Sequence, residues 1–191
     1  MENQLSYQQS FQIIKQTISQ ARMRFEQSGL LFVFWGLVIA GISFGYYFLR
    51  KSGVEKAYLI NLLYLVAAIF TFVYYFLQAR KKNEGKNFLA RLIGWMWLII
   101  NINIFVSAFA MVNLGMHSTF VILLLISIGY LLSAIIVRSW ILVIASVLLN
   151  IGSYITLFLS TVDDLLIFVG VVGLVCIFLP GVFLEIKRRK Q

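Results

Sequence analysis

The sequence predicts an all-α polytopic membrane protein, with six transmembrane helices forming a bundle behind an amphipathic N-terminal helix. Three observations carry this. Hydrophobic residues make up 61% of the 191 residues and charged residues only 12%, whereas soluble domains carry roughly 25% charged residues. The mean hydropathy is +0.93. Residues 119–160 run with a single charge, Arg138, near the middle. Crossing ~30 Å of hydrocarbon at ~1.5 Å per residue takes about 20 apolar residues, and 120–137 and 140–158 each come close to that length. A charge at mid-bilayer costs at least ~2.5–3.5 kcal/mol, so Arg138 and Ser139 are expected as a tight turn at a membrane face.

A chain of this size leaves no room for a second folded domain. The expected organisation is a cytoplasmic amphipathic helix at 1–28, a bundle at 29–185 and a basic tail at 186–191. The spans fall at about 30–49, 57–77, 92–112, 120–137, 140–158 and 165–184. The net charge of +9 is no nucleic-acid signature. The basic residues flank apolar runs, where they set topology and meet anionic headgroups of the lipid bilayer. A nucleic-acid-binding face needs a soluble scaffold that is missing here. The single cysteine, Cys176, lies in the last apolar run and reads as packing or lipid-facing filler. The first 28 residues are polar and Gln-rich, without the basic start and small-residue cleavage site of a signal peptide.

Within that head, Tyr7, Phe11, Ile14, Ile18, Ala21, Phe25 and Ser28 recur at spacings of four and three, a narrow apolar stripe on one helix face. The opposite face is mostly neutral amide: Gln8, Gln9, Gln12 and Gln16, with Lys15, Ser19 and Arg22. A membrane-surface helix more often carries many Lys or Arg there. Two readings stand side by side. The helix lies on the bilayer or against the bundle's loops, or its stripe is a docking seam for another helix.

The first span follows Ser28-Gly29 and places Gly36, Ala40, Gly41 and Gly45 at helical spacing, with Gly41 and Gly45 forming a literal GxxxG. Small residues let helix backbones approach closely in lipid. Gly36, Gly41 and Gly45 are therefore expected at a helix contact, within one chain or across a dimer. Tyr58 and the pair Tyr74-Tyr75 bracket the second span as an interfacial aromatic belt. A basic loop with Arg80, Lys81, Lys82, Lys86 and Arg91 leads to the third span, which holds Asn101 and Asn103. These two point to different faces and read either as interhelix hydrogen bonds or as ligand or ion contacts. His117 sits in an interfacial link with no carboxylate nearby and reads as a solvated imidazole. The hairpin carries Gly129, Ser133, Asn150, Gly152, Ser153 and Tyr154 as its small or polar positions. Asp163 and Asp164 are placed to cap the sixth span, where carboxylates suit the positive end of the helix dipole. Pro180, near the end of that span, predicts a kink.

Six spans put both termini on one side. Basic residues of the head, the second loop, the Arg138 turn and the tail then share a side, and only Arg50, Lys51 and Lys56 lie opposite. The positive-inside rule places the shared side in the cytoplasm of a bacterial inner membrane.

No ionisable residue lies deep in a span, and no Pro interrupts the first five spans. Proton-coupled carriers usually keep such a residue near the midplane, and many transporters use broken helices. P-loop, HExxH, GxSxG and CxxC motifs are absent from the sequence, and no nucleophile–base pair is present. The sequence points to no enzyme, no cofactor and no metal site.

Four features of the chain go together: Ile13-Ile14 in the polar head, 29–36 entering the first span with Trp35-Gly36, the basic loop before Gly94-Trp95-Met96-Trp97, and the ending around Leu179-Pro180-Gly181. In these the chain resembles an uncharacterised family of small six-span bacterial inner-membrane proteins. Several members of that family neighbour a winged-helix transcription regulator, which implies a regulatory role. The family supplies no catalytic residue. The functional expectation is a non-enzymatic membrane protein that binds a cytoplasmic or membrane partner, or a second copy of itself, through the seam on Tyr7, Phe11, Ile14, Ile18, Ala21 and Phe25. The alternative is a small-solute or ion transporter lined by Asn101, Asn103, Asn150 and Tyr154.

Overall fold

A computed structural model describes residues 11–13, 29–81, 88–113 and 118–189. Beyond the short turn at 11–13, the chain forms α1 (Gly29–Lys51), a 3-10 turn (Ala57–Asn61) leading into α2 (Leu62–Lys81), then α3 (Phe88–Asn113) and α4 (Thr119–Val137). After these come α5 (Trp140–Ile155), a 3-10 turn (Thr156–Phe158), α6 (Val162–Val172), a π-helical turn (Gly173–Phe178) and α7 (Leu179–Arg189). No strand occurs among the described residues. Six helical segments are long and apolar enough to cross a membrane, the sixth running continuously from α6 through the π turn into α7. The protein is a multi-pass, all-α membrane bundle.

The first and last spans lie antiparallel and touch at backbone distance. A methyl group built on Gly36 would sit 2.5 Å from the backbone nitrogen of Phe178, and one on Gly181 would sit 2.6 Å from that of Val33. Higher along the pair, Gly173 faces Ile39 and Ala40, and Gly170 faces the ring of Phe44. At the far end, Arg50 Nε and Asp163 Oδ1 form an ion pair at 3.3 Å. In lipid no hydrophobic drive separates helix–helix from helix–lipid contact, so packing of this kind decides association.

Of the two contacts expected for Gly41, the one within the chain is corrected here. Among the described residues nothing lies within 4 Å of a methyl built on Gly41, while one on Gly45 meets the flexible end of Ile60 at 2.7 Å. Gly36 sits on the buried face and Gly41 on the exposed one, because five residues turn a helix by about 140°.

Two helix ends close in the same way with different residues. At the end of α1, Val54 N–H reaches Leu49 O and Gly53 N–H reaches Arg50 O, both at 3.1 Å. At the end of α4, Ser139 N–H reaches Ala134 O at 3.1 Å and Arg138 N–H reaches Ile135 O at 3.3 Å. Both are Schellman closures, which require a left-handed residue. Gly53 takes it freely at φ 75°, but Arg138 takes it at φ 54°, at a cost of ~1–2 kcal/mol for a residue with a Cβ. The closure allows the short α4–α5 hairpin, whose two helices pack against each other along their length.

The expected kink at Pro180 appears as a widened turn. Proline cannot donate to the carbonyl four residues back. The helix just before it takes the π register, with Leu179 N–H bonding Leu174 O five residues back. The sixth span also starts earlier than expected, at Val162. Thr161 is its N-cap: its Oγ1 accepts from the Asp164 backbone N–H at 3.1 Å and donates to Asp164 Oδ2 at 2.6 Å. Asp163 and Asp164 fill the first turn, and Asp163 is spent on Arg50.

Packing is uneven. Between 33% and 44% of the first, fourth, fifth and sixth spans is buried, against 11% of the second and 6% of the third. The core lies between α1, α4, α5 and the last span, around Phe32, Tyr130, Leu142, Leu149 and Leu184. The third span is held through Trp97 and Ile100, which close over Gly129 of α4.

These contacts separate the glycines. Gly36→Leu is expected to destabilise the bundle by at least ~1–3 kcal/mol, because the backbone of Phe178 leaves no room. Gly41→Leu is expected to leave thermal stability in detergent unchanged. Equal melting temperatures for the two variants would place the contact elsewhere.

Candidate functional site

The polar side chains inside the spans form two unlike sets. The first is a buried seam between α4 and α5. Asn150 Nδ2 donates to Ser127 Oγ at 3.3 Å, and Ser127 Oγ donates in turn to Leu124 O at 2.8 Å. Ser153 Oγ donates to Asn150 O and Thr156 Oγ1 to Ser153 O, both at 2.6 Å. Such back-bonding spends a hydroxyl inside its own helix and lets it sit in an apolar contact. Nearby, Trp97 Nε1 donates to Ser133 Oγ at 3.2 Å, joining α3 to α4. Ser127, Ser133 and Ser153 are all fully enclosed. Helices approach closely at small residues, and Ser146, Gly152 and Ser153 supply them on the buried face of α5.

The second set faces outward on α3. Asn101 Nδ2 donates to Trp97 O at 2.8 Å and Asn103 Nδ2 to Ile99 O at 2.9 Å, each four residues back along the same helix. A primary amide has two N–H donors and two acceptor lone pairs. Among the described residues each of these amides makes one bond, so most of its capacity is unspent. Both residues are exposed near the middle of α3. Two residues turn a helix by about 200°, so they lie on opposite flanks of the helix.

The expected lining is therefore not one site. Asn150 is half-buried between α4 and α5, whereas Tyr154 is half exposed and packs its ring against Phe120 at 5.4 Å. Asn101 and Asn103 stand on a different helix, outside the core. Of the expected head seam, Phe11 is described and is 68% exposed. Tyr7, Ile14, Ile18, Ala21 and Phe25 lie outside the described residues, as does His117. Cys176 is buried in the core. Among the described residues no group of His, Cys, Asp and Glu is arranged to hold a metal ion.

One core residue carried no signal of its own in the sequence reading. Tyr130 is 2% exposed, edge-on to Phe32 at 4.9 Å and to Trp97 at 6.1 Å. Its hydroxyl has no hydrogen-bond partner among the described residues. The signal was available: Leu123, Ser127, Tyr130 and Ala134 recur at spacings of four and three along α4 and mark its buried face.

Among the described residues, two grooves open on the outer surface. One, of about 230 Å³, lies between α5 and the last span, with Ala145 and Pro180 as its floor. The other, of about 300 Å³, lies between the start of the second span and Phe105 of α3, with Tyr58, Asn61 and Tyr64 on its rim. Apolar atoms line both.

Comparison with known proteins adds no relative: no family model, no curated protein and no solved structure matches the chain.

Proposed function

We propose that the protein is a non-enzymatic, partner-binding or regulatory component of a bacterial inner membrane, with both termini in the cytoplasm. One observation carries the partner-binding reading. The least buried span, the third, presents two outward amides whose bonding capacity is largely unspent. An Asn among hydrocarbon seeks a second helix, and each interhelical hydrogen bond there contributes ~0.6–2 kcal/mol. The partner is another membrane helix, of a different protein or a second copy. Because the two amides stand on opposite flanks, one partner helix meets one of them. The apolar stripe on Tyr7, Phe11, Ile14, Ile18, Ala21 and Phe25 extends the same reading to the cytoplasmic side, and the family resemblance is consistent with a regulatory role.

The transporter reading draws less support. Its four lining candidates are distributed over an enclosed seam, a half-exposed ring and two helix flanks.

The test is assembly in the membrane. The full chain in mild detergent is expected to migrate as a complex, by cross-linking and light scattering. Asn101→Leu with Asn103→Leu should weaken that complex about 3- to 30-fold while the melting temperature holds. The single variants then show which flank is used. An unassembled wild-type chain, or a complex indifferent to both changes, would argue against the proposal.

Orientation has its own check. The uneven distribution of Lys and Arg is its support. Reporters fused after Lys82 and after Gln191 should read cytoplasmic, and one after Gly53 periplasmic. A periplasmic reading at Lys82 would reverse the assignment.

A further inference from the structure

The groove between α5 and the last span ends at charge. Ile144 and Leu148 form one wall, Val175, Leu179 and Phe183 the other, and Ala145 the floor. The walls are half exposed and the floor is buried. The groove owes its depth to two local features. Ala145 is the smallest side chain on that stretch of α5, and the π turn before Pro180 displaces the last span from a regular helical path. From Ile141 to Leu148 it runs about 10 Å along α5, a large part of one leaflet's ~15 Å of hydrocarbon. It is apolar throughout, as an acyl chain requires.

The two elements run antiparallel, so the start of α5 and the end of α7 meet at one end of the groove. Arg138 stands there, two residues before α5 begins. Lys187 stands there too, four residues beyond Phe183 on the same face of α7, continuing the row Val175, Leu179, Phe183. Both are exposed, and neither has an ion-pair partner among the described residues. The described carboxylate on this end, Glu185, holds Arg189 at 3.3 Å. Trp140 is 79% exposed between Arg138 and the groove, in the position an interfacial tryptophan takes at headgroup level.

Arg138 also occupies a backbone position that resists it. The equivalent closure of α1 uses Gly53, and glycine or asparagine would serve the α4 closure without strain. An arginine held in the left-handed region is an outlier that calls for a reason. Its place beside the groove's charged end supplies one, since a guanidinium there can bind phosphate oxygens in bidentate fashion.

The geometry points to a binding site for a phospholipid with an anionic headgroup: the acyl chain lies in the α5–last-span groove and the headgroup phosphate sits between Arg138 and Lys187. The occupant is a membrane lipid because only a lipid combines a chain of that polarity with a negative charge at that depth. This goes beyond partner binding and does not depend on it.

Two readings of one experiment test it. The full chain is titrated with phosphatidylglycerol or phosphatidylcholine, and retained lipid is counted by native mass spectrometry. One phosphatidylglycerol should be held about tenfold or more in preference to phosphatidylcholine. Arg138→Asn, which suits the left-handed backbone, combined with Lys187→Gln should abolish most of that preference. Lys56→Gln, at the opposite end, should leave it. Independently, phosphatidylglycerol with a photoreactive acyl chain should label the wild-type protein at Leu148, Val175 and Leu179. Equal retention of the two lipids would overturn the proposal, as would labelling spread evenly over the outward faces of α2 and α3. The labelling arm uses no variant and stands whatever the substitutions do to folding.

Discussion

The structure depends on the backbone contact between the first and last spans. Gly36 against Phe178 and Gly181 against Val33 bring two helices closer than any side chain would permit. Lipid chains are as apolar as leucine, so burial of apolar surface gives helices no reason to prefer one another. Close approach does, because dispersion contacts accumulate along the interface and every backbone group is already satisfied within its helix. The contact also joins the two ends of the sequence, and the other spans are arranged within that closure. At its far end the Arg50–Asp163 pair is only partly shielded from solvent, so it fixes alignment more than it adds stability.

The α4–α5 hairpin is the second constraint, and it works by different chemistry. Its two helices carry Ser127, Ser153 and Thr156, with hydroxyls turned back onto their own helices. Among the described residues, Asn150 alone crosses the interface through a side-chain bond, to Ser127. Tyr130 then fixes the meeting of α1, α3 and α4 by ring packing. The second and third spans share neither device and have most of their surface free. That asymmetry gives the molecule a rigid half and an open half. The proposed functions divide in the same way: partner contact on the open half, lipid on the rigid half, where a groove can hold its shape.

The six spans were legible because each is a continuous apolar run bounded by charge, and little else can be made of such a run. The turn at Arg138 was legible for the same reason. The packing was less so. Gly41 and Gly45 form the textually obvious motif, yet spacing states only which residues share a face, not which face meets a neighbour. Gly36 was singled out with them, but nothing in the pattern matched it to Gly181 or to Gly170. Pairing them with the first span needs the antiparallel register, a long-range fact that no local pattern contains. Pro180 announced a disturbed helix without saying that the adjustment would be a π turn. The polar residues were correctly few, but their separation into an enclosed seam and an outward pair depends on the rotation of each helix, which depends on packing again. The head's stripe lies mostly outside the described residues.

The account rests on the antiparallel pairing of the first and last spans, and proximity at their charged end tests it most directly. Cysteines replace Arg50 and Asp163 in a Cys176→Ser background, and membranes are treated with a short bifunctional thiol reagent. A cross-link within one chain is expected at 50–163, with none between cysteines at 50 and 187, which the 26-residue sixth span separates by about 39 Å. A link at 50–187, or none at 50–163, would contradict the pairing and the bundle built on it.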